Sequence, residues 1–326
     1  MQSISNNQRI PLSQLGYHLA KSLQTDQPTL IITYNAHHHA LLIEQLQYFL
    51  ENPELIAQLP DWEILPYDHF SPNKDIISQR LSLFAKWRQG TLPLCIIPCY
   101  VAMQKVPPAQ YIDAHTFALK QGDVLSIDRF RETLSAKNYQ CVATVKQHGE
   151  YAVRGAIIDL FPMGHHTPYR IELFDDTIDT VRSFDPKTQC STKQVNNITC
   201  LPGHEYALDE KSIARFRENW RDHMPENWRD NNAYQSISDG KPFRGVEQYL
   251  PFFFEHALES IFDLLPKNAA IIHLAPEIKA AENFTALVNK RYEQALFQKQ
   301  LPPLPVSSMY LDYEALHNDC EPFSQS

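Results

Sequence analysis

Residues 149–185 read GEYAVRGAIIDLFPMGHHTPYRIELFDDTIDTVRSFD, and the spacing of apolar runs and turn residues in this stretch decides the fold. Arg154-Gly155 opens the run AIIDLF, Pro162-Met163-Gly164 turns the chain, and YRIELFDD returns, followed by TVRSFD. No helix fits between these runs, so the strands pair antiparallel. Arg170, Glu172 and Phe174 alternate with Ile171 and Leu173, so one face packs while the other displays an arginine and a phenylalanine.

Upstream, YQCVATVKQ (139–147) reads as a further strand after a short helix that begins past Ser126. Downstream, DPKTQCSTKQVNNI (185–198) reads as a turn and an edge strand. Beyond these limits the rhythm changes. PTLIITYN starts a strand-then-helix unit over 28–50, with Leu42, Leu46, Phe49 and Leu50 on one helical face. DWEILPY (61–67) and TLPLCIIP (91–98) are strand candidates flanking a helix over 75–87 that turns Ile77, Leu81 and Phe84 inward. After LPGHEYALDEKS a helix starts at Asp209, residues 222–248 look polar and irregular, and a strand (269–276) and a helix (277–298) follow. LPPLP (301–305) reads as an extended linker. Strands alternating with helices imply a mostly parallel sheet covered on both faces. The expectation is an α/β domain, residues 1–111 and 202–326, interrupted by a mainly antiparallel α+β insert over 112–201.

A chain of 326 residues is long enough for two or three compact units, and 43% hydrophobic with 21% charged residues is a folding composition. No apolar run reaches the length of a membrane helix, and MQSISNNQRIPLSQ lacks the basic and apolar regions of a signal peptide, so the chain reads as cytoplasmic with no membrane partner. Its six scattered cysteines read as reduced thiols, with the close pair Cys95 and Cys99 as core residues in an apolar run. The net charge of −9 speaks against a general nucleic-acid binder. Most of it lies on the flanks: residues 112–201 hold 10 Lys/Arg and 11 Asp/Glu, the remainder 19 and 27.

Familiar catalytic signatures are missing. Of nine glycines only Gly240 and Gly245 have Walker A spacing, and Val246 stands where the lysine belongs. No Gly-x-Gly-x-x-Gly or Gly-x-Ser-x-Gly occurs. His204-Glu205 opens like a zinc-protease helix, but position 208 is Leu. His37, His38 and His39 would point three ways on a helix, and Glu63, Asp68 and Asp75 carry no sign of convergence. The sequence supplies no catalytic, cofactor-binding or metal-ligating residue, and no cofactor is expected. Arg154, Arg170 and Phe174 have the composition of a protein-interface hot spot, yet pattern alone favours a plain sheet with surface arginines and a core phenylalanine.

GEYAVRGAIIDLFP, PYRIELFDDTIDTVRSFD and LPDWEILPYDHFSPNKDIISQRLS resemble the amino-terminal module of the bacterial transcription-repair coupling factor (Mfd) family, itself similar to the repair protein UvrB, over essentially the whole chain. The resemblance implies a degenerate helicase-like α/β domain whose insert binds UvrA, the damage-recognition ATPase of nucleotide excision repair. It carries partner-binding roles onto Arg154 in AVRGA, Arg170 in PYRIE and Phe174 in ELFDD. UvrB's Walker A loop and tyrosine-rich β-hairpin have no counterpart, so a non-catalytic adaptor is expected. Contacts with RNA polymerase, DNA and ATP are expected to lie in segments outside this chain. The rival is a nucleotide-dependent α/β enzyme with an unrecognised phosphate site; direct DNA binding by the central segment is a third reading.

Overall fold

A computed structural model describes residues 11–320 apart from 24–26, 93, 225–227, 275–276 and 298–300. The first ten residues of the expected leaderless start, the last two residues of the 269–276 strand and the final residue of the 277–298 helix lie outside the described set.

The chain opens with helix α1 (Leu12–Ser22), strand β1 (Thr29–Thr33) and helix α2 (Ala36–Phe49). Asn35 caps α2 by accepting the His38 amide. The short strand β2 (Ile56–Gln58), helix α3 (Lys74–Arg88) and strand β3 (Leu94–Pro98) follow. Ile77, Leu81 and Phe84 are fully buried on α3, as their spacing predicts. Cys95 and Cys99 are buried as expected, and burial pushes the Cys95 thiol far above its usual range. DWEILPY is not a strand. Glu63 and Tyr67 take left-handed backbone angles that break an extended run, and pairing with β3 passes to β2.

Helices α4 (Cys99–Ala102) and α5 (Ala109–His115) lead to strand β4 (Phe117–Lys120) and helix α6 (Ile127–Ala136). Six strands then form one sheet: β5 (Gln140–Cys141), β6 (Glu150–Arg154), β7 (Ile157–Leu160), β8 (Tyr169–Phe174), β9 (Thr177–Phe184) and β10 (Ser191–Val195). Strands β6 to β10 pair antiparallel as predicted. The 139–147 run departs from expectation: only Gln140 and Cys141 are strand, and they pair parallel to β6. Its Val145 instead packs with Ala152, Phe161 and Phe184 in a small core of its own, which pulls the chain off the sheet edge. Strand β11 (Asn197–Cys200) returns antiparallel to β4, so the two ends of the antiparallel unit are zipped together.

Helix α7 (Glu210–His223) is capped by Asp209, as predicted, and is followed by α8 (Asn232–Ser238). The 222–248 stretch is less irregular than its polarity suggests. It contains α8 and enters a buried turn over Val246–Phe253, where Phe216, Trp220, Tyr249, Phe252 and Phe253 cluster. Glu247 tolerates burial there because Ser71 donates to one carboxylate oxygen (2.8 Å) and His204 lies 3.2 Å from the other. Strand β12 (Ala270–His273) pairs parallel with β1, which pairs parallel with β3, giving the order β12-β1-β3-β2. The parallel sheet is thus built from chain on both sides of the antiparallel unit. Helices α9 (Glu277–Ala295), α10 (Val306–Met309) and α11 (Tyr313–Cys320) complete the fold. LPPLP is no free linker: Leu301 and Leu304 are buried, and the Tyr67 and Tyr249 hydroxyls donate to the carbonyls of Leu304 and Pro302.

An ion pair joins the two segments of the α/β domain on either side of the antiparallel unit. Arg80 of α3 and Glu205, just past β11, are both fully buried, with Arg80 Nε 2.5 Å from Glu205 Oε1. Arg80 Nη1 donates to the Pro60 carbonyl, and Trp62 Nε1 donates to the second Glu205 oxygen. Removing one charge leaves the other in the core without a counterion, at a cost of several kcal/mol. Arg80→Met and Glu205→Gln should each lower unfolding stability in urea by about 3 kcal/mol, whereas Arg80→Met with Glu205→Leu should recover part of the loss.

Candidate functional site

The six-stranded sheet has two chemically different faces. Ile158, Leu160, Ile171, Leu173 and Val181 are buried on one and share the main core with Phe130 and Leu134 of α6. Directly opposed residues lie on the same face, so Ala152↔Asp159↔Arg170↔Arg182 runs across the other. Arg154 and Glu172 share that face, each paired with Ile157. A β-bulge on β9, between the Glu172↔Thr180 and Leu173↔Ile178 pairs, takes up one extra residue. It brings Thr177, opposite Phe174, to the same face as Thr180.

Arg154, Arg170 and Phe174 therefore emerge on one surface. Phe174 is 74% exposed at the tip of β8, which removes the reading of a core phenylalanine. The Arg154 side chain is 51% exposed and the Arg170 side chain only 16%. What joins the arginines is Asp159, 1% exposed, a residue the alternation pattern did not single out. Arg154 Nη2 donates to Asp159 Oδ2, and Arg170 donates from Nε to Oδ1 at 2.7 Å and from Nη2 to Oδ2 at 3.1 Å. The Arg170 guanidinium rests over the Phe184 ring, 5.0 Å from its centroid. Hydrogen bonding to Asp159 raises the Arg170 pKa further, so it holds its charge throughout the useful pH range. Two guanidinium groups share one carboxylate, which leaves one positive charge to face outward at Arg154. Its fork suits a carboxylate. A lone acid in the apolar run AIIDLF was the available sequence signal, because a buried charge needs a partner.

The acidic candidates are dispersed, and of the three adjacent histidines of α2, His39 lies 3.4 Å from the Gln58 side chain. His148 Nδ1 contacts Asp75 at 2.7 Å, Arg291 lies 3.7 Å from Asp68, and Glu63 occupies a turn. Among the described residues no group of three or more His, Cys, Asp or Glu side chains could hold a metal, and no helix is long and apolar enough to cross a membrane.

The carboxyl ends of β1 and β3 open into a cavity of about 410 Å³ lined by Tyr34, Asn35, Asp61, Tyr100 and Phe284 among others. Such a position is where open α/β sheets bind ligands. Here the Asn35 side chain already takes an amide at the α2 N-terminus, and among the described residues the cavity lining carries Asp61 and no lysine or arginine. Burial, with Asp61 next in effect, pushes the Tyr100 hydroxyl up to about 12. This chemistry disfavours a triphosphate.

The model of the UvrB interaction domain matches residues 117–206. A transcription-repair-coupling factor of Escherichia coli (strain K12) is 35% identical over 292 residues, 90% of this chain and 25% of the relative. That of Haemophilus influenzae is 38% identical over 263 residues, 80% and 23% respectively. The chain belongs to the transcription-repair-coupling factor family. It spans about a quarter of the length of the curated relatives it matches. All of the Arg154–Asp159–Arg170–Phe174 face falls within the part matched by the UvrB interaction domain of this family.

Two outcomes follow from the geometry. Asp159→Asn removes the carboxylate that accepts from the mostly buried Arg170 and should cost about 3 kcal/mol in urea unfolding, against less than about 1 kcal/mol for Arg154→Ala, whose side chain is half exposed. Millimolar ATP with magnesium should leave the melting temperature unchanged, since a ligand of the native state would raise it.

Proposed function

We propose that this chain is a non-catalytic adaptor module of transcription-coupled nucleotide excision repair. The face carrying Arg154, Arg170 and Phe174 docks on UvrA and so recruits it to a stalled transcription complex. The observation that carries the reading is the coincidence of three features on the one displayed sheet face: an exposed phenylalanine, an outward guanidinium with surplus charge, and a buried carboxylate that fixes both arginines. Rigid aromatic and arginine groups are the side chains that dominate interface energetics. Arg170 acts by positioning, since it is mostly covered, while Arg154 and Phe174 make the contacts.

We assign residues 112–201 to the inserted UvrA-binding domain and residues 1–111 and 202–326 to its scaffold. The β4–β11 pairing near both limits supports that division. RNA polymerase, DNA and ATP are partners of the longer family protein rather than of this module, and the cytoplasm is its compartment.

Titration of the purified chain against UvrA tests the proposal. Arg154→Glu and Phe174→Ala should each weaken binding by at least about thirtyfold, about 2 kcal/mol, with melting temperatures close to that of the parent. Unchanged affinity in a folded double variant would remove the site.

A further inference from the structure

The exposed face does not end at Phe174. Residues 122–125 run along the free edge of β9: Gly122 N donates to the Ile178 carbonyl, Ile178 N to Asp123, and Leu125 N to Asp176. Val124 bridges Thr177 in antiparallel fashion, and Thr177 is the partner of Phe174. The three side chains therefore lie on one face, with Val124 and Phe174 two strand spacings apart, roughly 10 Å. Val124 is 79% exposed. Its backbone is fixed, because besides those bonds Asp123 closes a turn by accepting the Lys120 amide at 2.8 Å. A β-branched side chain on a fixed strand loses little entropy when it is covered.

We infer that Val124 is a further docking residue: it forms with Phe174 the apolar end of a surface whose charged end is Arg154, and one surface of UvrA covers both ends. This inference rests on the UvrA reading above. From β6 to the 122–125 segment the face spans four strand spacings, about 19 Å, which fits within a standard interface of about 800 Å² per partner. The surplus charge at Arg154 fixes the chemistry of the occupant: an apolar socket for Phe174 and Val124 with a carboxylate placed to meet the Arg154 fork. Thr177 lies between the two apolar side chains on the same face, so the socket is read as continuous.

The test is titration of the intact chain carrying Val124→Asp against UvrA, with Val124→Thr, a nearly isosteric change suited to the bridge, as the variant that keeps the fold. Val124→Asp should bind at least tenfold more weakly and Val124→Thr a few-fold more weakly, with melting temperatures unaltered for a residue so exposed. Parent affinity in both variants, alongside weakened binding by Phe174→Ala, would overturn the inference and leave the docking face ending at Phe174. Parent affinity in Val124→Asp, Phe174→Ala and Arg154→Glu alike would instead remove the UvrA reading itself. Sedimentation of the chain alone gives the remaining outcome. If Val124→Asp dissolves a dimer and leaves UvrA affinity intact, the occupant is a second copy and the inference fails.

Discussion

The buried pair of Arg80 and Glu205 holds the architecture together. One member comes from the helix that covers the parallel sheet and the other from the chain as it leaves the antiparallel unit, and neither is exposed. Two charges in a core are tolerated when they are paired and hydrogen-bonded, and besides each other the pair has the Pro60 carbonyl for Arg80 Nη1 and the Trp62 indole for Glu205 Oε2, while Arg80 Nη2 has no hydrogen-bond partner. Because the pair is costly to separate, it locks the two segments of the α/β domain to each other where the antiparallel unit leaves and returns. Around it, Tyr111 donates to the His204 carbonyl, Tyr139 to that of Leu201, and the Gly164 amide to Ser78. Of these, the Gly164–Ser78 bond crosses from the antiparallel unit to α3.

A second buried charge works in the antiparallel unit. Asp159 sits in a strand whose neighbours are apolar and is paired with two guanidinium groups. The two sites use the same physics for different ends. At Glu205 the charges cancel within the core, whereas at Asp159 one positive charge is left over and turned to the surface. A sheet is a good platform for such a surface, since its ladder holds the side chains at fixed spacings and little freedom is lost on docking.

Much of the fold was legible because strands and helices here obey their periods. Ile77, Leu81 and Phe84 recur at helical spacing and are buried, and Arg170, Glu172 and Phe174 alternate and share a face. The failures have local causes. DWEILPY has strand composition, but two left-handed residues break it. The 139–147 run has strand composition too, yet Val145 packs over the sheet, on Ala152, Phe161 and Phe184, instead of extending its edge. Glu247 and Gln248 made a buried turn look like a polar loop, and the Ser71 and His204 partners that allow the burial of Glu247 are remote in sequence. The same remoteness hid Arg80–Glu205, 125 residues apart. The candidate site was legible as residue types and not as a constellation. Composition named Arg154, Arg170 and Phe174, while Asp159, which joins the arginines, emerges only from the register.

Side-chain footprinting with hydroxyl radicals, on the chain alone and in the presence of UvrA, tests the central claim most directly. Phe174 on the antiparallel sheet is 74% exposed, and Tyr48 and Phe297 on the α/β part are 83% and 88% exposed. All three should be oxidised readily in the free chain. On adding UvrA, oxidation of Phe174 should fall sharply while Tyr48 and Phe297 stay as they were; protection of Tyr48 or Phe297 with Phe174 unchanged would contradict the account.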